Sequence, residues 1–477
     1  MADRDPKSPR VFFLLPGPYV YEDRCQAYIG RGSVFGYREP VEEMAAARAM
    51  MAKGADCALC HAAAEGLSAP SILSRIASFA PDLVILSTTF PGHASDLAWA
   101  AKIKAALPGC VVAARGGQMP FVNRQRLFSR FPDLDAIVLP DYDESLSGWM
   151  AQGFSGPSPG ILLRDRPEPE GLPSAFSGLL VDLHPARRIV VRSAFRSPDT
   201  GEPLATILAG AGCGRRCSFC LAPMVSGRTP LFREPEEIAG EMAKARAELG
   251  FRRYFLRADD LCADRTFVLS LCETLARYEP GARFVTTARA DGVDDETARA
   301  LARAGCWGLS LGLESGSQQT LSRTRKGLTP QSAERALAAC RRHGIMTLGY
   351  FMLGFPWETK DDVMKTLEAA RRLAPDVCEF FFPYPFPGTA LYEEAASLGL
   401  VREDSPPPCS QVVPVCVPPG MSPQELIRLR NQARRAPRAL LRAARAILRQ
   451  ARTPADALHI ATSRLAALPR ALFPPSK

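Results

Sequence analysis

Short apolar runs alternate with segments of helical period along two long stretches of the chain, and this alternation constrains the fold more than any other feature. The first stretch, residues 1–150, includes the runs VFFLL, DLVILSTT and CVVAARGG. The second, residues 201–400, contains six such runs, from ATILAG to CEFFFPY. Strands that alternate with helices form parallel sheets. We therefore predict an α/β protein with a Rossmann-like, doubly wound parallel sheet in the first stretch and an open (β/α)6 barrel in the second.

Two further regions lie outside these series. Residues 151–200 contain the text FSGPSPGILLRDRPEPEGLP, whose prolines and glycines predict a linker or ordered connector. Residues 401–477 are expected to form a small, mainly helical and basic C-terminal region in which Pro437 separates two helices. Apolar residues at helical spacing are expected to form one face of the second helix: Leu440, Leu441, Ala444, Ile447 and Leu448. This face is expected either to pack on the barrel or to lie in a membrane interface, where anionic headgroups attract arginine.

The positive charge of the chain is concentrated at its C-terminal end. The formal net charge is +9, and residues 419–477 contain twelve Arg or Lys against Glu425 and Asp456. The remainder is close to neutral, which argues against a nucleic-acid enzyme with an extended basic face. The N-terminus has no signal-peptide core, and no stretch approaches the ~20 apolar residues of a membrane span. The sequence therefore predicts a cytoplasmic protein that does not act on nucleic acid.

Three of the fourteen cysteines are closely spaced. Cys213, Cys217 and Cys220 have the spacing C-x3-C-x2-C and directly follow the first predicted barrel strand. Three thiolates on one short loop can hold three corners of a [4Fe-4S] cluster and leave the fourth iron open to a chelating molecule. The alternative is zinc, but a structural zinc site requires a fourth Cys or His, which the following LAPMVSGRTPLF does not provide. We predict a [4Fe-4S] cluster on these cysteines.

From these cysteines to about Leu400, the chain resembles the radical S-adenosylmethionine (SAM) superfamily. Further motifs that carry the resemblance are FLRADD, TTARAD, LSLGLESGS, GYFMLGFPWET, RKGLTP and FPYPFPGTALY. The resemblance implies that the open iron chelates SAM, whose reductive cleavage gives a 5′-deoxyadenosyl radical. The residues that match the SAM-binding positions of the family are Phe219, Asp259, Asp260, Arg289, Glu314 and Gly354. The two acids could instead cap a helix, and Arg289 could form a simple ion pair. A buried Glu314 requires a ligand or a polar network.

The first domain resembles the cobalamin-binding module that precedes the barrel in one large radical SAM subgroup. Ser87-Thr88-Thr89 is followed by 26 residues and then Gly116-Gly117, a spacing that fits the hydroxyl and glycine positions beside the nucleotide tail of cobalamin. The loop that supplies a histidine to cobalt in many cobalamin proteins is absent. His61 and His93 follow predicted strands, but no cobalt ligand can be assigned. The alternative is a related fold that binds no cobalamin.

These resemblances imply a cobalamin-dependent radical SAM C-methyltransferase, in which methylcobalamin delivers a methyl group to a substrate radical. Two alternatives remain: a cyclase or rearrangement enzyme that uses the same cofactors without methyl transfer, and a cobalamin- or SAM-sensing protein with a structural cluster. The expected partners are an organic small-molecule, lipid or peptide substrate and a reducing donor such as flavodoxin or ferredoxin. Neither the substrate nor a catalytic side chain is identifiable from sequence.

Overall fold

The chain forms two α/β units, each built around a six-stranded sheet. The computed structural model describes residues 8–17, 19–23, 26–29, 38–88, 93–116, 119, 123–139, 143–166, 180–197, 200–401, 413–434 and 436–450. The division between the units falls between Phe195 and Arg196.

The first unit contains a doubly wound sheet, as predicted. Its strands are β1 (Arg10–Leu15), β4 (Asp56–His61), β5 (Leu83–Ser87), β6 (Val111–Arg115), β7 (Ala136–Val138) and β8 (Ile161–Leu163). The spatial order is β4-β1-β5-β6-β7-β8, and every pairing is parallel except that of β7 with β8. All five residues of β5 are buried, because helices cover both faces of a parallel sheet of this kind. The order reverses beside β1, so the carboxyl ends of the central strands define the expected ligand-binding edge.

Within the described residues, seven helices and a small hairpin complete this unit. The hairpin strands are β2 (Tyr19–Asp23) and β3 (Gln26–Ile29). The helices are α1 (Val41–Met51), α2 (Ala62–Glu65), α3 (Ala69–Phe79), α4 (His93–Leu97), α5 (Trp99–Ala106), α6 (Arg124–Arg130) and α7 (Asp143–Ala151). Two 3-10 turns follow at His184–Ile189 and Arg192–Ala194.

Strand β8 lies in the stretch that the sequence predicts as a connector. Its short apolar run ILL pairs antiparallel with β7, and the backbone N–H of Leu139 donates to the carbonyl of Gly160 at 2.9 Å. The sheet of the first unit therefore continues beyond residue 150.

The second unit contains the six predicted parallel strands. They are β9 (Leu204–Leu208), β12 (Arg253–Arg257), β13 (Arg283–Arg289), β14 (Cys306–Glu314), β15 (Met346–Met352) and β16 (Val377–Phe381). Neighbours in space are neighbours in this order, and all pairings are parallel. β9 and β16 form the two edges, so the sheet is the open barrel that the sequence predicts. A two-stranded ribbon, β10 (Gly210–Ala211) with β11 (Leu231–Phe232), flanks the cysteine loop.

The helices of this unit cover the outer face of the barrel. They are α8 (Ala222–Val225), α9 (Pro235–Leu249), α10 (Arg265–Tyr278), α11 (Asp295–Arg303), α12 (Gln318–Arg323), α13 (Pro330–Arg342), α14 (Lys360–Leu373) and α15 (Ala390–Ser397), with a 3-10 turn at Ala290–Gly292. The start of α13 shows why these helices begin where they do. Thr329 and Ser332 form a capping box there, and Pro330 occupies the first turn.

Two C-terminal helices follow, α16 (Pro423–Arg434) and α17 (Pro437–Leu448), and Pro437 begins the second as predicted. α17 packs Ala443, Ala446 and Ile447 against a cluster that includes Leu204, Val285, Trp307 and Met346 from the barrel strands. The predicted packing face is wrong in part, because Leu441 is 57% and Leu448 40% exposed. The physical reason is that alanine side chains let the helix approach the barrel closely, while Arg449 reaches Asp376 at 3.2 Å.

Among the described residues, no helix has the length and apolar character needed to cross a bilayer.

Candidate active site

The cysteine loop connects the short strand β10 to α8, at the carboxyl edge of the barrel strands. Cys213, Cys217 and Cys220 are all partly exposed on it. The backbone N–H of Cys213 donates to the Gly227 carbonyl at 3.0 Å, and that of Ser218 to the Thr324 carbonyl at 2.9 Å. The barrel thus anchors the loop at both its start and its middle.

Asp259 braces this loop from the adjacent strand end. Its carboxylate accepts hydrogen bonds from the backbone N–H of Gly212 at 2.7 Å and from the hydroxyl of Ser226 at 3.3 Å, and so ties the start of the loop to the residue that follows α8. Gly212 has φ +89°, and a Cβ there would lie 2.2 Å from the Thr229 carbonyl oxygen. Only glycine fits this position.

Asp260 and Arg289, the next two predicted SAM-binding residues, contact each other. The buried Asp260 carboxylate accepts the backbone N–H of Arg289 at 3.1 Å and that of Cys262 at 3.2 Å, and burial raises its pKa above the usual range. The Arg289 side chain donates to both oxygens of Asp291, each at 2.9 Å. Both predicted residues are therefore engaged within the protein.

Glu314 is buried and pairs with Lys326, whose Nζ lies 2.7 Å from its Oε1. The residue sits at a register shift between β14 and β15 with φ 59°, a left-handed conformation that costs a non-glycine residue about 1–3 kcal/mol. A Cβ on Gly312 would lie 2.6 Å from Oε1 of Glu314 and 2.8 Å from Nζ of Lys326. The strand thus leaves room at Gly312 for the ion pair. The buried Glu314 was expected to need a ligand or a polar network, and Lys326, to which the sequence analysis gave no role, is its partner.

Phe219 and Gly354 lie beside an apolar patch of the same edge. Phe219 packs against Met352, Phe355 and Leu391, with its ring centroid 5.9 Å from that of Phe355. Gly354 has φ +95°, and its N–H donates to buried Glu358 at 2.8 Å. A Cβ there would meet Leu426 of α16 at 3.0 Å, so the side of Gly354 that a Cβ would occupy faces α16.

The thiols of the loop influence one another electrostatically. The pKa of Cys220 is raised to about 12, mainly by burial and also by the neighbouring thiols Cys217 and Cys213, whereas the backbone N–H of Ala222 and the charge of Lys326 oppose the shift. Burial also raises the pKa of Cys213, with added contributions from Cys217, Asp260 and Asp259. A bound cation would offset the cost of the three thiolates. No group of three His, Cys, Asp or Glu side chains in the described part of the chain is arranged to hold a single metal ion.

In the first unit, the predicted hydroxyl and glycine positions meet at the carboxyl ends of β5 and β6. The backbone N–H and the hydroxyl of Thr88 both donate to the Arg115 carbonyl, at 2.7 and 2.9 Å. Ser87 ends β5 and is buried, and Gly116 follows β6 and is also buried. Thr89 and Gly117, the other two predicted residues, lie outside the described residues.

A buried acid that sequence reasoning missed lies next to Ser87. Burial raises the pKa of Glu43 to about 7, and the charge of Glu42 adds to the shift, while Arg115 and the Ser87 hydroxyl oppose it. The Ser87 hydroxyl is nevertheless not placed for a regular hydrogen bond to any group in the described residues. The Ser87 hydroxyl therefore lies beside the Glu43 carboxyl group, at the strand end that a polar ligand would reach.

The two histidines near strand ends give no clear metal ligand. His61 Nδ1 accepts the backbone N–H of Ala64 at 3.3 Å, and burial lowers the pKa of His61 to about 4, so the ring is neutral at physiological pH. Burial likewise lowers the pKa of His93, at the start of α4.

Comparisons with known proteins agree with this geometry. Residues 207–370 match the radical SAM superfamily. A methyltransferase of Pyrococcus horikoshii, described as uncharacterized, is 24% identical over 77% of this chain and 81% of its own length. An anaerobic magnesium-protoporphyrin IX monomethyl ester cyclase of Rubrivivax gelatinosus is 28% identical over 38% of this chain and 33% of its own. The solved structure of TsrM, a radical SAM methyltransferase of Kitasatospora setae with cobalamin and a [4Fe-4S] cluster bound, aligns with a TM-score of 0.63 and 20% identity over 88% of this chain and 85% of that one.

The fold, the cysteine loop and the match over residues 207–370 identify the second unit as a radical SAM domain. The similarity to the Pyrococcus horikoshii methyltransferase and the likeness in fold to TsrM both extend beyond that domain, over most of the chain. The predicted family and fold class are confirmed.

Proposed function

We propose that the protein is a cobalamin-dependent radical SAM methyltransferase that acts on an unactivated carbon of an organic substrate. The observation that carries the proposal is the loop of three partly exposed thiols, Cys213, Cys217 and Cys220, anchored at the carboxyl edge of an open parallel barrel. Three thiolates suit a [4Fe-4S] cube and leave one iron open.

The chain would hold two cofactors. When bound, the cluster and cobalamin supply one-electron cleavage of SAM and delivery of a methyl group, so that each methylation consumes two SAM molecules and two electrons and releases 5′-deoxyadenosine, methionine and S-adenosylhomocysteine. An external one-electron donor of the flavodoxin or ferredoxin kind would provide the electrons.

The residues of the second unit have separable roles in this proposal. Asp259 holds the cysteine loop closed, and the Glu314–Lys326 pair fixes a buried carboxylate at the end of β14. The aromatic rings of Phe219 and Phe355 provide an apolar wall. Such a wall keeps water from a reactive radical, which is the main task of the protein in cofactor chemistry of this kind. We retain Phe219, Asp259, Asp260, Arg289, Glu314 and Gly354 as candidate SAM-binding residues.

The first unit fits a cobalamin tail. The buried Ser87 hydroxyl lies beside Glu43 at the end of β5, and the buried Gly116 follows β6, where a residue without a side chain permits close approach to the backbone. We therefore propose that Ser87, Thr88 and Gly116, together with Thr89 and Gly117, line the nucleotide tail. No residue is proposed as a cobalt ligand.

A cyclase or rearrangement without methyl transfer is the second candidate function. It is supported by the similarity to the magnesium-protoporphyrin cyclase, although that similarity covers 38% of this chain. The similarity to methyltransferases covers 77% of the chain, which favours methyl transfer. Product mass separates the two, because only the methyltransferase adds a methyl group from labelled SAM to its substrate.

Reductive cleavage of SAM is the direct test of enzymatic activity. We expect anaerobically reconstituted protein, given SAM and dithionite, to form 5′-deoxyadenosine, because the three thiols leave an iron free to bind SAM. Chromatography of the quenched reaction measures the product. Protein that holds its cluster and binds SAM but forms no 5′-deoxyadenosine would instead be a sensing protein with a structural cluster.

A peripheral membrane contact through α17 stays a prediction. Leu441 and Leu448 are exposed on this helix, and the arginine side chains of Arg438 and Arg445 are exposed as well. We expect the double variant Leu441→Ser/Leu448→Ser to lose co-sedimentation with anionic vesicles at low salt, because apolar burial and charge act together in such contacts. Leu398→Ser, which changes a leucine that is 56% exposed elsewhere on the barrel unit, is the matched control. Absence of vesicle binding by the parent protein contradicts the contact.

A further inference from the structure

The side chain of Arg289 points to the cysteine loop. Its Nη1 lies 3.8 Å from Sγ of Cys217, within the range of a hydrogen bond to sulfur. The side chain is only 6% exposed, so water does not screen this contact strongly.

The remaining donors of the same guanidinium are fixed by other partners. Nε and Nη2 each donate to an oxygen of Asp291 at 2.9 Å, and Nη2 also donates to the Lys326 carbonyl at 2.5 Å. The guanidinium is planar, so these bonds fix the direction of Nη1. Asp291 in turn lies 3.6 Å from Arg215, which belongs to the cysteine loop itself. Arg289 is therefore held in one orientation, with one nitrogen directed at Cys217.

We propose that Arg289 is a positioning residue for the cluster that raises the reduction potential of that cluster through the contact with Cys217. This inference rests on the proposed function, because it requires a [4Fe-4S] cluster on the loop. Reduction adds one electron from the external donor, and the added negative charge is shared with the thiolate sulfurs. A charged N–H donor at one sulfur stabilises the reduced state more than the oxidised state. The two hydrogen bonds to Asp291 fix the orientation of the guanidinium, and Nη1 of Arg289 is the N–H donor to the sulfur.

The test is an EPR-monitored redox titration of the reconstituted cluster in the absence of SAM, so that SAM binding does not enter. Arg289→Gln is expected to shift the midpoint potential to a more negative value with iron content and visible absorbance unchanged. Arg289→Lys keeps the charge but cannot form the fork to Asp291, and a smaller shift in the same direction is expected. Arg265→Gln, which removes an exposed arginine paired with Glu296 on the outer helices, is the matched control.

Equal potentials for the parent, Arg289→Gln and the control would overturn the inference. If the Arg289→Gln protein does not hold a cluster, the Arg289→Lys protein tests the inference in its place. A midpoint potential of Arg289→Lys equal to that of the parent would then overturn the inference. Failure of the parent protein to bind a [4Fe-4S] cluster would instead contradict the proposed function, so the two failures are distinguishable.

Discussion

Replacement of Cys213, Cys217 and Cys220 together by alanine is expected to remove the cluster and to abolish reductive SAM cleavage. The three thiolates are the only ligands that the loop offers to the cube, and SAM is cleaved only when an iron of the cube is free to bind it. We expect about four irons per chain in the reconstituted parent protein and none in the variant. Iron analysis, visible absorbance and 5′-deoxyadenosine formation measure the three effects.

The control for this experiment is Cys378→Ala. Cys378 is a partly buried thiol on β16, away from the loop, and its pKa is raised to about 12 mainly by burial. It should keep both the cluster and SAM cleavage. Intact cleavage in the triple variant would show that the cluster is bound elsewhere.

Replacement of Gly116 by valine is expected to weaken cobalamin binding by about tenfold or more, since a steric penalty of 1.4 kcal/mol already has that effect. Gly116 is buried directly after β6, beside the strand end that carries Ser87 and Thr88. A branched side chain there would occupy the space proposed for the nucleotide tail. Titration with hydroxocobalamin, followed by absorbance, measures the affinity.

Gly109→Val is the matched control in the same unit. A Cβ on Gly109 would meet no atom within 4 Å, so the larger side chain extends into open space. Its affinity should equal that of the parent protein. Equal affinity for the Gly116→Val protein as well would mean that cobalamin does not approach this strand end.

The strands and their order along the chain were predictable from sequence, because buried parallel strands consist of continuous apolar runs. Runs such as VFFLL and DLVILS are apolar at successive positions, and the helices that cover both sheet faces account for this. Motifs such as Ser87-Thr88-Thr89 were also recognisable, since ligands bind at the carboxyl ends of these strands.

The partners of the buried polar side chains were not predictable from sequence. Glu314 needs a buried partner, but nothing in the sequence indicates that Lys326, twelve residues later, supplies it. Asp291 follows Arg289 by two residues, a spacing that predicts no contact unless the backbone turns there, as it does in the 3-10 turn at Ala290–Gly292. The raised pKa of Glu43 likewise depends on burial by elements far apart in the chain.

The C-terminal helix shows the limit of periodicity. Leu441 and Leu448 are among the larger apolar residues of α17, and helical spacing favours them as part of the packing face. The barrel instead accepts the smaller Ala443 and Ala446, because close packing depends on the shape of the surface below. Sequence shows which residues can be buried, whereas the partner surface decides which of them are.

Cobalamin-dependent methyl transfer is tested most directly by tracing the methyl group of SAM. Cobalamin-loaded, reconstituted protein is incubated anaerobically with methyl-labelled SAM and a reductant, and the corrinoid fraction is then isolated and analysed for label. We predict that the label moves from SAM to the bound cobalamin, and that the triple cysteine variant forms no 5′-deoxyadenosine under the same conditions. Cleavage of SAM to 5′-deoxyadenosine with no label on the cobalamin would contradict the proposal of methyl transfer.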